Sequence, residues 1–238
     1  MNISAGKLNF RELGERVKAA GEDVCIDECC GQRFIGAGMK EKTLTINGTP
    51  GNALGAYLDG GVIEVNGNAQ DAVGDTMNAG KIIIRGRAGD ALGYAMRGGC
   101  IYVRESSGYR TGIHMKEYRD KKPVIIIGER AGSFLGEYLA GGLIVVLGIG
   151  CEDIPVGDFT GTGMHGGKIF IRTNGELTSL PGQVATKIAG EDDLREIAAY
   201  IHEFAGCFGM DGESLMKDRY YVLKPNAKNP YKQLYTEN

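Results

Sequence analysis

The chain has 238 residues, of which 42% are hydrophobic and 24% are charged, and its net charge is −3. This balance gives no reason to expect nucleic acid or an anionic membrane as a partner. Glycine is unusually frequent, with 39 residues against an average usage of about 7%, while there are only 6 prolines. This composition indicates tight turns repeated around an apolar core rather than a disordered linker.

The sequence carries no recognisable targeting or membrane segment. Residues 1–14 lack the apolar stretch of a signal peptide. The longest apolar run, residues 141–151, is shorter than the roughly 18 residues that indicate a membrane-spanning helix. We therefore expect a cytoplasmic protein that contacts neither nucleic acid nor membrane.

The first predicted element is a short helix near the amino terminus. Residues 8–20 place Leu13, Val17 and Ala20 on one helical face. A repeat fold needs a cap of this kind, because a terminal repeat exposes an apolar face and an unpaired strand edge.

A cysteine cluster follows the predicted helix. Cys25, Cys29 and Cys30 have the spacing C-x3-C-C, which fits no zinc or ferredoxin pattern. The even total of six cysteines is weak evidence for disulfides in a chain expected in the cytoplasm. We interpret the cysteines as free thiols, and leave a metal or redox role open for this cluster alone.

A glycine ladder runs through the middle of the chain. Five glycines follow one another at intervals of 19 residues, and two more follow after steps of 24 and 25 residues, which indicates insertions. A fixed period of this length is typical of solenoid folds. We call these seven residues the ladder glycines: Gly36, Gly55, Gly74, Gly93, Gly112, Gly136 and Gly161.

Apolar residues fall into columns relative to the ladder glycines. The third residue after the glycine is Met or Leu, and the eighth and tenth residues are β-branched or Leu. In the coil with the first insertion we place Val124 and Ile126 in the last two columns, displaced by four residues, with Ile125 between them in a column of mixed character. This alternation predicts a short strand with one buried face.

Short strands that recur at a fixed period predict a solenoid. A coil of 19 residues is too short for a strand plus a crossover helix, which needs about 30 residues, and the leucine-rich and RTX patterns are missing. A glycine-rich β-sandwich would need this regular spacing to arise by coincidence. We therefore predict an all-β fold, a single-stranded right-handed parallel β-helix of about seven coils with short capping helices at both ends. The single domain, 1–238, would comprise an amino-terminal cap (1–30), the repeats (31–175), and a carboxy-terminal helix with an extended arm (176–238).

The first insertion, residues 117–122, is the charged run EYRDKK. Charge runs are usually solvated loops, but insertions in repeat proteins commonly map to the binding face. Aromatic residues beside arginine are also typical of interaction hot spots. We therefore hypothesise a partner interface at Tyr109, Arg110, His114, Lys116 and Arg119.

Arg110 motivates this hypothesis because its column is otherwise apolar. A charged side chain in an apolar column needs water or a counter-charge, and a partner carboxylate is one way to supply it. The alternative is an ion pair with Glu117 or Asp120 of the same chain. The other coils carry Phe34, Ala53, Ala72, Ala91, Phe134 and Phe159 in this column.

The last predicted elements are a helix and an arm. Apolar residues at helical spacing over 191–205, with an acidic first turn, predict a helix at the carboxy-terminal end. The stretch 218–238 is polar and contains four tyrosines and two prolines. We expect it to be an extended arm laid over the surface of a partner or of the chain itself.

We find no catalytic constellation in the sequence. There is no H-x-x-x-H, G-x-S-x-G, Walker A or dinucleotide motif. Asp71 and Asp90 share a column, and paired carboxylates can act as catalytic acids. Asn52, Ser133 and Asp158 occupy the same column, however, so turn chemistry explains it better. We predict no catalytic, cofactor-binding or metal-binding residue.

The repeats resemble the carboxy-terminal β-helix domain of glutamate synthase large subunits, which is marked by recurring G-x-x-G-x-x-x-G. The stretch from Gly48 to Arg104, GYRTGIHMKEY from Gly108, and GTGMHGGKIFIR from Gly161 are similar to the stand-alone form of this domain in archaea and some anaerobic bacteria. The resemblance covers nearly the whole chain. One of the subunits of formylmethanofuran dehydrogenase has similar glycine repeats.

This resemblance implies a role within glutamate synthase, which releases ammonia from glutamine and adds it to 2-oxoglutarate with reduction at an FMN centre. In that family the amidotransferase and FMN/iron–sulfur parts carry the catalytic residues. This chain would then be a non-catalytic subunit without a cofactor of its own, partnered by glutaminase-type and FMN-domain subunits. The sequence also leaves a homo-oligomer open.

Two other functions compete with this one. The first is the equivalent glycine-repeat component of a formylmethanofuran or molybdenum/tungsten oxidoreductase. The second is an autonomous carbohydrate-active β-helix enzyme.

Overall fold

A computed structural model describes residues 1–178 and 180–226. The strands of this part form one sheet in the order β1-β2-β3-β4-β5-β6-β7-β8-β9-β11-β10. In chain order the elements are β1 (Asn2–Ser4), α1 (Phe10–Ala19), β2 (Val24–Cys30), β3 (Thr43–Thr49), β4 (Asp59–Asn66), β5 (Ala79–Ile84), β6 (Cys100–Val103), β7 (Val124–Ile127), β8 (Ala140–Val146), β9 (Gly166–Arg172), β10 (Val184–Ile188), α2 (Glu191–Phe208), α3 (Gly212–Met216) and β11 (Tyr220–Pro225).

The predicted parallel β-helix is confirmed. Each strand from β2 to β8 pairs in parallel with the next strand along the chain, up to β9, so the solenoid has about eight turns, one more than predicted. A second, narrower ladder of single parallel bridges closes the coils on another side, running from Ala69 through Ala88, Ser107 and Ala131 to Val156.

The predicted interior columns are also confirmed. The register pairs Ile63 with Ile82 and Val65 with Ile84, and all four side chains are fully buried. The third residue after the ladder glycine is buried as well from Leu58 onward.

The register in the coil with the first insertion is one residue away from the prediction. Ile101 pairs with Ile125 and Val103 with Ile127, so Val124 and Ile126 do not occupy the interior columns. The step from Gly112 to Gly136 exceeds 19 by five residues, and all five precede β7. The strand is therefore displaced by five residues rather than four.

The ladder glycines have φ between +63° and +76°, a region that disfavours residues with a Cβ. They also face the core at close range. A Cβ on Gly93 would lie 2.4 Å from Cδ1 of Ile125 in the neighbouring coil. Glycine is therefore required at this point for both conformation and space.

The outward face of the sheet is covered by α2. The side chains of Ile83, Tyr102, Val145 and Phe170 point away from the solenoid core and are buried under Ile197, Ile201 and Phe204 of this helix, among others. The sequence predicted this helix but placed it at the end of the solenoid. It lies along the flank instead, because the mixed column becomes apolar from Ile83 onward and needs a cover.

The two ends are closed by different elements. At the amino-terminal end, α1 follows an Asn9 cap and buries Leu13 and Val17, which confirms the predicted helix. At the other end, β11 pairs antiparallel with β9, and β10 pairs antiparallel with β11. The first part of the predicted arm is therefore a strand with Tyr220 buried, and its remainder, 227–238, lies outside the described residues.

Within the described part of the chain, no helix is both long and apolar enough to cross a membrane.

Candidate partner-binding surface

The turn at each ladder glycine also presents side chains to the outside. The residue two positions before the glycine has φ between +54° and +62° in every coil, yet it is never glycine. Hydrogen bonds to the next coil hold this conformation: the N–H of Arg110 donates to the Ser133 carbonyl, and that of Phe134 donates to the Asp158 carbonyl. Because this position points away from the core, it accepts side chains as large as Phe159, which is 55% exposed.

Rings gather along this turn from coil to coil. Five of the eight large hydrophobic side chains that are exposed in the described part lie here, so they are clustered and not scattered. We call the rings that surround the ladder glycines the aromatic turn face: Phe34, Tyr57, Tyr94, Tyr109, His114, Phe134, Tyr138 and Phe159.

Neighbouring rings of this face contact one another across coils. His114 stacks on Tyr138 with centroids 5.1 Å apart and meets the edge of Tyr94 at 6.0 Å. Phe134 stacks on Phe159 at 5.0 Å. Five of the eight rings are therefore held by contacts with one another, which lowers the entropic cost of ordering them in a complex.

Arg110 lies on the aromatic turn face with a partner from its own chain. Its Nε donates to Glu137 at 2.9 Å, and its guanidinium lies over the Phe134 ring at 5.3 Å from the centroid. An ion pair within the chain, the alternative to a partner carboxylate, is therefore present, but Glu137 supplies the counter-charge instead of Glu117 or Asp120. The Arg110 side chain is itself 55% exposed, which removes the desolvation problem that motivated the hypothesis.

The insertion is a short hairpin anchored to the solenoid. Tyr118 and Lys121 bridge each other, and Glu117 accepts the N–H of Gly142 at 3.1 Å. Lys121 pairs with Asp59 at 3.3 Å, and Lys122 pairs with Glu196 of α2 at 3.1 Å. The residues of the insertion are therefore exposed but held on both sides by contacts with the rest of the chain.

The structure brings together some of the predicted interface residues. Tyr109, Arg110 and His114 belong to one surface, and the exposed Lys116 follows His114 in the chain by two residues. Arg119 lies apart at the hairpin tip, where its guanidinium covers the Tyr118 ring at 5.2 Å.

Comparisons with known proteins now fix the family. The GXGXG motif family matches residues 20–226. The chain belongs to this family.

One curated protein and one solved structure are similar to this chain. The uncharacterized protein MJ1350 of Methanocaldococcus jannaschii is 42% identical over 98% of this chain and 95% of its own length. A chain in the crystal structure of the formyltransferase/hydrolase complex FhcABCD from Methylorubrum extorquens, determined with methylofuran, shares the fold with a TM-score of 0.66. It is 23% identical, and the match covers 83% of this chain and 72% of that one.

In this GXGXG-motif chain, the side chains of the column that contains Asp71 and Asp90 form hydrogen bonds within the turns. Asp71 Oδ1 accepts the N–H of Asp90 at 3.0 Å, and Asp90 Oδ1 accepts the N–H of Tyr109 at 2.8 Å. Ser133 Oγ accepts the N–H of Asp158 at 3.1 Å in the same way. Each side chain thus binds the backbone of the next coil, as the turn interpretation predicts.

The cysteines of the GXGXG-motif chain are free thiols in this structure. Burial raises the pKa of Cys29 to about 11, although a hydrogen bond at Gln32 opposes the shift. Among the described residues, no group of three or more His, Cys, Asp or Glu side chains is arranged to hold a metal ion. The described structure therefore gives no support for a metal site at Cys25, Cys29 and Cys30.

The most strongly perturbed ionisable groups lie under α2. Tyr102 Oη donates to Glu203 at 2.6 Å, and burial raises the pKa of this tyrosine far above its usual range. Burial opposes ionisation of Glu203, but Lys81 and Tyr102 hold its carboxylate and leave its pKa lowered. These contacts attach the helix to the strands, and they face the packed interface rather than an open cleft.

The sequence could have indicated the aromatic turn face more fully. Tyr57, His114 and Tyr138 share one column, two residues after the ladder glycine, just as Phe34 and Phe159 share the column two residues before it. The sequence shows these columns, but it does not show whether their side chains point toward the core or toward solvent. Only the left-handed backbone at these positions turns them outward.

Proposed function

We propose that this chain is a non-catalytic structural subunit of a split glutamate synthase, in which glutaminase-type and FMN-domain chains carry out the reaction. The observation that carries the proposal is the aromatic turn face. Five of the large hydrophobic side chains exposed in the described part cluster at this turn of the solenoid, and clusters of this kind mark interaction sites on proteins. Tyr and Arg, both on this face, are residues that dominate binding energy at interfaces.

The choice of glutamate synthase rests on sequence. The glycine motifs from Gly48 to Arg104 and the later motifs at Gly108 and Gly161 resemble the glutamate synthase β-helix domain in their order along the chain. Membership of the GXGXG motif family over residues 20–226 is consistent with that resemblance. In this proposal FMN and iron–sulfur groups belong to a partner subunit, and the complex is cytoplasmic.

The described side chains also support a scaffold more than a hydrolase of carbohydrates. The aligned carboxylates of Asp71 and Asp90 each accept a backbone N–H from the next coil. A carboxylate that holds a turn in this way is engaged in a structural hydrogen bond, whereas glycoside hydrolysis requires a pair of carboxyl groups that act on the substrate.

A subunit of a formylmethanofuran-type complex is the second candidate. It is favoured by the shared fold with a chain of the formyltransferase/hydrolase complex. Both candidates make the chain a component of a larger assembly, and they differ in the identity of the partners.

Co-purification tests the proposal. The tagged full-length chain would be expressed with the glutaminase-type and FMN-domain chains of its own organism, and separately with subunits of a formylmethanofuran-type complex. We expect capture of the glutamate synthase chains, and loss of capture for Tyr109→Ala combined with Phe159→Ala. Arg195→Ala, an exposed site on the outer side of α2 paired only with Asp192, is the matched control and should bind normally.

A second variant separates the aromatic turn face from the hairpin. Lys116→Ala with Arg119→Ala removes the predicted loop contacts and leaves the rings intact. The proposal fails if the wild-type chain captures neither glutamate synthase chain, and capture of formylmethanofuran-type subunits instead would favour the second candidate.

A further inference from the structure

One strand edge of the sheet has no partner among the described residues. The sheet ends at β10, which pairs on one side with β11, while no described strand lies on its other side. The residues of β10 after Val184 are all exposed, and Ile188 keeps 59% of its surface in solvent. Unprotected edges of this kind are templates for pairing with another chain.

The hydrogen-bonding direction of β10 follows from its two ends. The N–H of Asn226 donates to the Gln183 carbonyl, and the N–H of Ala189 donates to the Tyr220 carbonyl. In an antiparallel pair, backbone groups of alternate residues face the same neighbour. Residues 185 and 187 therefore bind β11, while the N–H and C=O groups of Thr186 and Ile188 face the free edge.

The segment that faces this edge, Val-Ala-Thr-Lys-Ile, is complementary to itself in the antiparallel direction. If Thr186 lies opposite Thr186 of a second copy, Val184 lies opposite Ile188 and Ala185 opposite Lys187. The apolar side chains then pair with each other, Thr faces Thr, and no lysine faces a lysine. Such cross-strand pairs are stabilising, whereas like charges directly opposite are not.

Charged groups protect this strand edge from pairing with another chain less than they protect the other end of the sheet. The single lysine of β10, Lys187, pairs with Asp193 of α2 at 2.6 Å, so its charge is compensated within the chain. At the opposite end, β1 is only three residues long, and the charged amino group of Met1 lies beside it, paired with Glu22. Short strands and charges are the usual protection of an edge, and β10 has less of both.

We infer that two copies of this chain associate end to end through antiparallel pairing of β10 about Thr186, which makes one continuous sheet across the dimer. The N–H and C=O groups of the two Thr186 residues bond reciprocally, and Ile188 N–H donates to the Val184 carbonyl of the second copy on either side. Each copy keeps its aromatic turn face, so the inference does not depend on which complex the chain joins.

The mass in solution is the first test. Light scattering on the full-length chain should give twice the mass of one chain. On dilution the measured mass should fall toward that of a single chain. Thr186→Lys places two like charges opposite each other at the centre and should raise the dissociation constant by more than about tenfold. Thr186→Pro removes an N–H that faces outward and leaves the bonds to β11 intact, so it should also give monomers. Thr186→Val keeps the backbone groups and should remain dimeric.

A disulfide tests the register. Opposed residues of a hydrogen-bonded pair have Cα atoms about 5.5 Å apart, which suits a disulfide. Thr186→Cys should therefore crosslink the two copies under mild oxidation, and peptide mass spectrometry would identify the bond despite the six native cysteines. Ala185→Cys is the matched control, since its two copies would lie diagonally at about 7–8 Å and should crosslink far less.

Three results would overturn the inference. One is a wild-type chain that stays monomeric at every concentration, and another is a Thr186→Lys chain that remains as dimeric as the wild type. The third is equal crosslinking of both cysteine variants. If a monomeric chain still protects the amides of Thr186 and Ile188 from hydrogen exchange, residues 227–238 of the same chain take the edge, which also excludes the dimer.

Discussion

Two outward surfaces of the solenoid are apolar, and the described residues (1–178 and 180–226) cover only one of them. On the strand side, Ile83, Tyr102 and Phe170 lie under α2 and are almost fully buried. On the turn side, Tyr57 and Tyr109 of the aromatic turn face keep more than half of their surface in solvent. The same repeat produces both rows, so repetition alone does not decide which row is covered.

The two surfaces differ in how the chain holds them. The helix that covers the strand side is held by ion pairs with lysines of the strands and of the hairpin. Glu203 pairs with Lys81 of β5, and Glu196 pairs with Lys168 of β9 and with Lys122 of the hairpin. On the turn side, the ion pair of Arg110 with Glu137 and the ring stacks link neighbouring coils and leave the rings open. A row of apolar side chains that the described part of the chain holds but leaves exposed is suited to contact with another molecule.

The largest effect is expected where the helix meets the strands. Phe204 is fully buried and packs edge-on against Tyr102 at 6.0 Å. Phe204→Ala should lower the free energy of unfolding by about 3–5 kcal/mol, since it leaves a cavity between α2 and the sheet. Chemical denaturation measures this. Arg195→Ala, at a side chain of the same helix that is 73% exposed, should cost less than about 0.5 kcal/mol. Equal losses for the two variants would mean that α2 does not pack as described.

A smaller effect should depend on pH. Asp193 accepts hydrogen bonds from Lys187 and Lys224 and from the Gly190 N–H, and these contacts hold its pKa well below the ordinary value of 3.8 despite its burial. A depressed folded-state pKa stabilises the fold above the unfolded pKa, and the contribution is lost as the pH falls from 3.8 through the lower folded value.

Asp193→Asn should therefore destabilise the chain at neutral pH, and its deficit against the wild type should shrink as the pH falls below 3.8. Urea denaturation between pH 3 and pH 7 would follow the difference. Asp192→Asn is the matched control, because Asp192 is almost fully exposed and pairs only with Arg195. A constant deficit across this range would contradict the role given to Asp193.

The smallest effect on stability is expected on the aromatic turn face. Phe159 is 55% exposed, and its ring stacks on that of Phe134. Phe159→Ala should thus lower the free energy of unfolding by less than about 1 kcal/mol in chemical denaturation. Its larger effect should be on binding to a partner. A loss as large as that of Phe204→Ala would mean that the turn side is part of the core, and that the contrast between the two surfaces is wrong.

The sequence predicted the solenoid because the interior is periodic. Glycine and isoleucine recur at fixed intervals, and each coil stacks its Ile on that of the next, as Ile82 does on Ile101. The register was wrong only around Ile125, where an insertion interrupts the period. The position of α2 could not be predicted from its own helical pattern. It depends on the mixed column of the strands, and the burial of that column is set by tertiary contact.

The candidate surface was predicted only in part. Tyr109, Arg110 and His114 were selected from composition beside an insertion, and they do lie on one surface. The rest of that surface was missed because a phenylalanine column looks like core in a sequence. The outward direction of Phe34 and Phe159 comes from left-handed backbone at non-glycine residues, which sequence patterns do not reveal.

The length of α2 has a consequence for how the molecule unfolds. Its 18 residues extend about 27 Å, close to six interstrand spacings of about 4.8 Å. It contacts lysines from Lys81 on β5 to Lys224 on β11. Solenoids usually unravel coil by coil, because each repeat touches only its neighbours. Here one helix joins distant coils, so those from β5 onward should open together as a single cooperative unit, whereas the coils of β2 and β3, beyond its reach, can fray by themselves.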